Sequence, residues 1–461
     1  MRKTLLAVAL LYSPGLVAGV IDGTKTGVGS TASGDAKPAA ADYGIDGAAE
    51  LAHLSTAPDS PHNHLRAGQT ATQLISGEID AEPLFAAAIA GGNKHVYVPC
   101  GSYRFDRPLP IIAGRTAIVG GQSGCVVVKQ NFTTGSAFTV TGGADGIDEV
   151  TINHIRVLMA PGVTKTSGAS FYAINGHNIH FEYDRSDGDF VGIEFRGGAH
   201  QFEYFAENNE INLASKAAIW LTDDGKNAHQ VKDVYLRDNA LGASAVGYLI
   251  DNASGVYASH SDICCAGGTG VLVAPGRGQN VNSLYLTNFL ADEQTGANGG
   301  IAFPNTGGFV SEAYLTDCWG SGSTAGAGLF VGNPNLDGLT IRGFNAHTNH
   351  AAGIDIEAGT NILIDGAQAF YNDTGRIGVP GIIIGGTASH VILANAHSGR
   401  GGYVSQAAPS RINYQSYGFV IGGSASYVDA HDNQTFDNAQ GGFVDTSSHA
   451  STNVKHDNLT Q

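Results

Sequence analysis

Four carboxylic acids near the middle of the 461-residue chain have the residue types that cleavage of a sugar bond requires. They are Glu194, Asp223, Asp224 and Asp251. Hydrolysis of a glycosidic bond uses two carboxyl groups, one protonated as the acid and one ionised as the base or nucleophile. Asp223 and Asp224 stand in the segment LTDDGKN, which is also an ordinary turn sequence. The turn and the catalytic pair both remain open as interpretations of these two residues.

Aromatic residues recur at regular intervals along the chain, and polar residues follow each of them. The substrate-binding residues predicted from this pattern and from the first group are Trp220, Arg196, Tyr235, Arg237, Asp238, Tyr257, His260, Tyr285, Tyr314 and Asp317. Aromatic faces stack on the C–H surfaces of sugars while polar groups bond the hydroxyls, so the pattern suits a glycan chain. The alternative is an aromatic ladder that stabilises a sheet by self-stacking or packs on a loop or a subunit. No metal site is predicted.

A repeat of glycine, apolar residue, any residue, apolar residue must position these side chains. It begins at Gly192 (GIEF), recurs to Gly442 (GFVD), with Ala218 (AIWL) filling one place, and has a mean spacing of about 28 residues. Repeats of this length with several strands each are typical of a parallel β-solenoid. The chain is therefore predicted to be all-β, with about twelve coils over residues 74–446. The two apolar positions face the core, and the position between them, which includes Glu194 and Trp220, faces outward. Outward aliphatic residues such as Leu249 indicate that part of this sheet is covered.

The segment before the repeats predicts a short helix over residues 80–90, which would cap the core. It reads DAEPLFAAAIAGG from Asp80 and is followed by HVYVPCGSYRF over residues 95–105. This combination resembles the opening of the pectate-lyase-like superfamily of right-handed parallel β-helix proteins. That group includes polysaccharide lyases, glycoside hydrolases, uronan epimerases and phage tailspikes. The resemblance covers residues 74–445 and implies the fold and a glycan-related role, without selecting one reaction.

The reaction motifs of the superfamily are incomplete in this sequence. Asp223-Asp224 matches the Asp-Asp of polygalacturonases, but their Asn-Thr-Asp, Gly-His-Gly and Arg-x-Lys motifs are missing, which argues against a pectin hydrolase. The nearest counterpart of an epimerase Asp-Pro-His motif is Asp429-Ala430-His431, without the proline. The sequence predicts a polysaccharide-cleaving enzyme that uses paired carboxylates and no cofactor. The alternatives are a lyase, with Ca²⁺ as its cofactor, a uronan epimerase, or a non-catalytic tailspike-like or adhesive glycan binder.

The net charge and the chain ends predict the class of partner and the compartment of the protein. The net charge of −17 excludes a nucleic-acid partner, which needs a basic surface. Arg2, Lys3 and the apolar residues 5–11 predict a signal peptide over residues 1–19, hence a secreted or periplasmic protein. A flexible leader is predicted over residues 20–73 and a loose tail over residues 447–461, with no membrane span. The oligomeric state stays open between monomer and homotrimer. Cys100 and Cys125 lie about one coil apart, so a disulfide and two buried thiols are both open.

Overall fold

The computed structural model describes residues 59–122, 124–225, 229–400 and 413–460. The predicted signal peptide and residues 20–58 of the predicted leader lie outside the described residues. Among the described residues, no helix is long and apolar enough to cross a membrane.

Three parallel sheets, here called A, B and C, form the body of the described domain, and each coil contributes one strand to each sheet in turn. Within the described ranges they contain 14, 14 and 13 strands. Sheet A consists of Lys94–Val98, Thr116–Gly120, Ile147–Asn153, Gly176–Glu182, Phe202–Glu207, Val231–Arg237, Ala253–Ser259, Asn280–Thr287, Phe309–Thr316, Leu336–Arg342, Thr360–Asp365, Ser389–Ala394, Ser426–His431 and Val454–His456.

Sheet B is built mostly from three-residue strands. They are Gly101–Phe105, Val126–Gln130, Ile155–Met159, Arg185–Asp187, Glu210–Asn212, Ala240–Gly242, Asp262–Cys264, Leu290–Asp292, Trp319–Ser321, Asn345–His347, Gln368–Phe370, His397–Gly399, Gln434–Phe436 and Leu459–Thr460. Sheet C consists of Leu109–Ile111, Phe138–Thr141, Ala169–Ile174, Val191–Arg196, Ala217–Thr222, Tyr248–Ile250, Val271–Val273, Ile301–Phe303, Leu329–Val331, Ile354–Ile356, Ile382–Ile384, Tyr417–Ile421 and Gly441–Asp445. These strands make about 13 coils, which confirms the predicted solenoid.

The inward apolar pairs of the repeat fill the core as predicted. Ile193, Phe195, Ile354 and Ile356 are fully buried in it. The glycine that opens each repeat is required by close packing at the corner between sheets B and C. A Cβ atom on Gly192 would run into the side chain of Ile211 and the carbonyl oxygen of Ala218. At Gly192 a larger residue would therefore require these neighbours to move, whereas the repeat that starts at Ala218 accommodates a methyl group.

The turn from sheet A to sheet B is made by one residue in the left-handed conformation. Asp238, His260 and Asp317 occupy this position with φ of 54°, 51° and 52°. Short polar residues such as Asp and Asn tolerate this conformation better than other non-glycine residues. The next residue points inward, and at two successive coils it forms an asparagine ladder, in which Asn209 Nδ2 donates to Asn239 Oδ1 at 3.1 Å.

Two short helices close the first coil. Helix α1 spans Ala71–Ile75 and helix α2 spans Glu82–Ala88, close to the predicted range of 80–90. Asp80 Oδ1 accepts a hydrogen bond from the backbone N–H of Glu82, so it assists the helix start although Ala81 is the N-cap residue. Phe85 packs edge-on against Tyr103 and Phe105, which covers the end of the core.

The ordered domain extends beyond the boundaries of 74 and 446 drawn from the sequence. A 3₁₀ helix spans Pro61–His64, and Asp59 pairs with Val96 in the first strand of sheet A. At the other end, Val454–His456 and Leu459–Thr460 continue sheets A and B after a 3₁₀ turn at Ala450–Thr452. Backbone pairing with the neighbouring coil orders these polar segments, which carry little apolar signal of their own.

Cysteine pairing settles the question left open for Cys100 and Cys125. They form a disulfide between adjacent coils, with Cα atoms 4.9 Å apart. A second disulfide joins the consecutive residues Cys264 and Cys265 and was not predicted. Cys318 is a buried free thiol, and burial raises its pKa to about 12.

Candidate functional site

The outer face of sheet C assembles most of the residues predicted to be catalytic. Glu194 pairs in register with Tyr172 on one side and Trp220 on the other, and Trp220 pairs with Leu249. Because alternate residues of a strand share a face, Arg196 lies beside Glu194 on this side. Asp223, Asp224 and Asp251 immediately follow the strands Ala217–Thr222 and Tyr248–Ile250, at the same edge of the sheet.

Glu194 points away from the core but is covered, with 3% of its surface exposed. Arg196 Nε donates to Glu194 Oε1 at 2.7 Å, which neutralises the carboxylate. The Arg196 guanidinium lies 5.6 Å from the ring centre of Trp220 and 5.9 Å from that of Tyr172. Glu194 therefore holds Arg196 in place, and a catalytic role for Glu194 stays a prediction.

Trp220 is occupied by protein groups instead of presenting an open face to a sugar. Its Nε1–H donates to Asp251 Oδ2 at 2.7 Å, and Lys216 Nζ lies 2.9 Å from its ring centre. The sequence pattern did not reveal this cation because Lys216 precedes the repeat, and sugar stacking on Trp220 stays a prediction. Trp220 therefore contacts both the Asp251 carboxyl group and the Lys216 ammonium group.

Asp251 carries a carboxyl group at this edge of sheet C whose pKa lies above its ordinary value. Burial raises its pKa, and the charge of Asp223 adds to this effect. The hydrogen bond from Trp220 and the charge of Lys216 act in the opposite direction. Burial also lowers the pKa of the Lys216 ammonium group. Asp223 and Asp251 thus form a pair of carboxyl groups that interact electrostatically, as acid–base pairs in enzymes do.

Asp223 makes the backbone hydrogen bond of a turn residue and also a side-chain hydrogen bond within the candidate site. Its Oδ1 accepts the backbone N–H of Gly225 at 2.8 Å, which is the bond expected of a turn aspartate. Its Oδ2 accepts from Gln279 Nε2 at 2.6 Å, and Gln279 lies 56 residues further along the chain. This second bond fixes the orientation of the carboxylate from two coils away.

Asp224 faces a cleft at the same edge of sheet C. Its carboxylate lies 3.2 Å from Nδ1 of His229. The cleft has a volume of about 440 Å³ and is lined by Ala144, Tyr172, Ile174, Asn175, Gly197, Gly198, Ala199, Asp224 and His229. Burial raises the pKa of the Tyr172 phenol to about 12. The predicted site did not include Tyr172 or His229. Tyr172 would have been found by counting back one coil from Glu194, where the repeat lacks its glycine.

The aromatic column on sheet A forms as predicted, but its rings stack on one another. Neighbouring ring centres in the series Phe205, Tyr235, Tyr257, Tyr285 and Tyr314 are 4.9, 5.2, 5.1 and 4.9 Å apart, with interplanar angles of 3–14°. His180 extends the series at 4.2 Å from Phe205. Since the ring faces within the stack contact each other, mainly edges and hydroxyl groups remain for a ligand. The geometry matches the ladder alternative.

The polar neighbours of this column also have local partners. Arg237 forms an ion pair with Glu207 in the adjacent strand. Asp238, His260 and Asp317 are exposed at the left-handed turn positions described above, where the backbone conformation accounts for their residue types. None of these residues belongs to sheet C, so the predicted substrate-binding set is divided between different sheets of the solenoid.

A further carboxyl pair on sheet C was missed. Asp355 pairs in register with Phe330 and Ile383 on the outer face. Burial raises the pKa of Asp355 to about 7, and the charge and hydrogen bond of Glu357 add to the shift. The sequence GIDIE contained the signal, because both carboxylates occupy outward positions of one repeat.

Comparisons with known proteins identify the fold. No protein-family model and no curated protein sequence matches the chain. Among solved structures, tailspike protein 3 of bacteriophage CBA120 has a TM-score of 0.57 at 11% identity, over 87% of this chain and 61% of that chain. The A-module of an Azotobacter vinelandii mannuronan C-5 epimerase has a TM-score of 0.48 at 13% identity, over 84% and 96%. The catalytic unit of a Streptomyces thermodiastaticus α-1,3-glucanase has a TM-score of 0.44 at 14% identity, over 88% and 68%. The likeness to the tailspike protein confirms the right-handed parallel β-helix.

Proposed function

We propose that the chain hydrolyses a polysaccharide on the outer face of sheet C, with Asp251 as general acid and Asp223 as the base or nucleophile. The observation that carries the proposal is the raised pKa of Asp251 beside a second carboxylate. Glycoside hydrolysis divides the acid and base roles between two carboxyl groups, and burial that raises the pKa of one member of a neighbouring pair favours that division.

In this mechanism Asp251 donates its proton to the oxygen of the leaving sugar as the glycosidic bond breaks. The Asp251 carboxylate that results is stabilised by the Trp220 Nε1–H and by the nearby ammonium group of Lys216. Asp223, oriented by Gln279, either takes a proton from the attacking water or attacks the sugar carbon itself. Arg196, held by Glu194, supplies positive charge for the hydroxyl and ring oxygens of the substrate.

A panel of polysaccharides, assayed for new reducing ends, tests this proposal. We expect Asp251→Asn to lower turnover by at least ~100-fold, because general acid catalysis alone contributes that much. Asp337→Asn, an equivalent substitution on sheet A, serves as the control and should retain full activity. Wild-type turnover in both Asp251→Asn and Asp223→Asn would contradict the hydrolytic site.

The cleft supports a second candidate, cleavage or epimerisation of a uronate polymer. The Asp224–His229 pair provides a base for the proton at C5, and Arg196 lies near Tyr172 on the cleft wall, where it would neutralise the uronate carboxylate. This reaction gives unsaturated products that absorb ultraviolet light, or a changed ratio of epimers, and both should disappear in His229→Gln. Reducing ends without absorbance, abolished by Asp251→Asn, would exclude it in favour of hydrolysis.

A non-catalytic role, as in a tailspike-like or adhesive β-helix, is the third reading. It predicts glycan binding without any product in either assay. We further propose that the chain is exported, because Arg2, Lys3 and the apolar residues 5–11 form a signal-like N-terminus and disulfides persist in oxidising compartments. Fractionation of the cells followed by N-terminal sequencing tests this. Protein outside the cytoplasm that starts near residue 20 supports export, and protein found only inside the cell with an intact Met1 contradicts it.

A further inference from the structure

Two cysteines and a glutamate meet on the outside of the solenoid, away from sheet C. Cys264 ends the sheet B strand Asp262–Cys264, and Cys265 follows at a turn with φ of 63°. One coil later Glu293 occupies the equivalent turn, with φ of 55°. Stacking of the coils therefore places the carboxylate of Glu293 beside the sulfurs. Both Sγ atoms and a Glu293 carboxylate oxygen lie within 4.8 Å of one another, and Cys265 Sγ is 3.6 Å from Glu293 Oε2.

The surroundings of this group are negatively charged and open to solvent. Cys265 and Glu293 are exposed, and Cys264 is partly exposed. Cys264 pairs across the ladder with Asp292, whose Oδ1 accepts from Ser321 Oγ at 2.5 Å and from the Glu293 backbone N–H at 3.1 Å. Sulfur donors within an acidic surface favour a thiophilic divalent cation.

The disulfide determines whether the sulfurs can bind such a cation. In the oxidised form, Cys264 and Cys265 are bonded to each other, so neither supplies a thiolate. A small-molecule thiol reduces the bond, and two of its molecules are oxidised to their own disulfide while Cys264 and Cys265 become thiols. A divalent cation then displaces the two thiol protons and is bound by two thiolates and one carboxylate.

We propose that Cys264, Cys265 and Glu293 form a redox-gated binding site for a thiophilic divalent cation such as Zn²⁺. The site is independent of the glycan-cleaving function, since it lies on a different sheet and shares no residue with it. Two donors come from one coil and the third from the next. The cation therefore links two coils in the reduced protein, where a covalent bond within one coil exists in the oxidised protein.

Titration of the full chain with Zn²⁺ against a chromophoric chelator tests the proposal. Thiol-reduced protein should bind one Zn²⁺, and unreduced protein should bind none at this site. Cys265→Ser should lower affinity to that of the unreduced protein. Glu293→Gln should weaken binding at least ~10-fold, because loss of a direct ligand should cost no less than loss of an outer-shell partner. Glu312→Gln, an exposed glutamate on sheet A, is the matched control and should bind as the wild type does.

The other cysteines are controlled separately. A Cys100→Ser/Cys125→Ser variant removes the remaining disulfide, and its reduced form should still bind one Zn²⁺. Cys318 is buried with a raised pKa and should not contribute. Equal Zn²⁺ binding before and after reduction, undiminished binding in Cys265→Ser, or free thiols at both positions in unreduced protein would each overturn the proposal. Because Cys265 and Glu293 are exposed, circular dichroism of the variants should match the wild type.

Discussion

The charge of Lys216 acts on the carboxyl group of Asp251, the proposed general acid. The ammonium group of Lys216 lowers the pKa of the Asp251 carboxyl, against the larger effect of burial. Lys216→Met removes that charge while keeping most of the side-chain volume, so the pKa of Asp251 should rise further. The alkaline limb of the pH–rate profile should then move to higher pH, because the acid stays protonated longer. An unchanged profile together with normal folding would show that Asp251 is not the acid.

Asp355 gives a prediction about stability. Its pKa is raised from 3.8 to about 7 in the folded chain, so between these values the native state binds more protons than the unfolded state. The contribution of Asp355 to the free energy of unfolding is therefore fully present below pH 3.8 and is lost as pH rises through about 7. We expect the melting temperature of the wild type to fall relative to that of Asp355→Asn across this interval. A constant difference between the two proteins would contradict the assignment.

At the scale of elements, the aromatic ladder should stabilise sheet A. Tyr257, in the middle, contacts two rings, whereas Tyr314 contacts one of the stacked aromatic rings. Each stacked pair contributes about 0.5–1.5 kcal/mol beyond area burial. Tyr257→Ala should therefore destabilise the chain about twice as much as Tyr314→Ala, and Tyr257→Phe should be nearly neutral. Denaturant melts check the order, and equal effects of the two alanine variants would argue against a ladder.

The fold could be predicted from the sequence because each coil repeats the same local constraints. Gly192 and its equivalents allow close packing at a corner. The two apolar residues of each repeat, such as Ile193 and Phe195, face the core. The residue type of Asp238 could not distinguish a turn residue from a binding residue, because aspartate suits both.

The details of the site depend on contacts that no local pattern encodes. Gln279 reaches Asp223 across two coils, and Lys216 covers Trp220 from outside the repeat. His229 Nδ1 lies 3.2 Å from the Asp224 carboxylate, a contact that the residue types alone do not predict. Such contacts depend on loop conformation and charge, so the sequence predicted which sheet face carries the carboxylates but not which of them remain available for chemistry.

At the scale of the whole molecule, the core is continuous from the capping helix to the last coils. Ile354 is fully buried in it. Ile354→Asp would place an unpaired charge in an apolar interior and should cost several kcal/mol, about 3 or more. Ile354→Val is the matched control and should cost about 0.5–1.5 kcal/mol. Because each coil is stabilised by its neighbours, the unfolding transition of Ile354→Asp should also broaden, which calorimetry would show.

Binding of a glycan to the outer face of sheet C underlies the proposed hydrolysis. Carboxyl and aromatic footprinting of Asp251→Asn, with and without a polysaccharide that the wild type cleaves, tests it most directly. We expect protection of Tyr172, Asp223 and Asp224, with Tyr257 and Tyr285 on sheet A labelled equally in both samples. Protection of the sheet A tyrosines without protection at sheet C would contradict it.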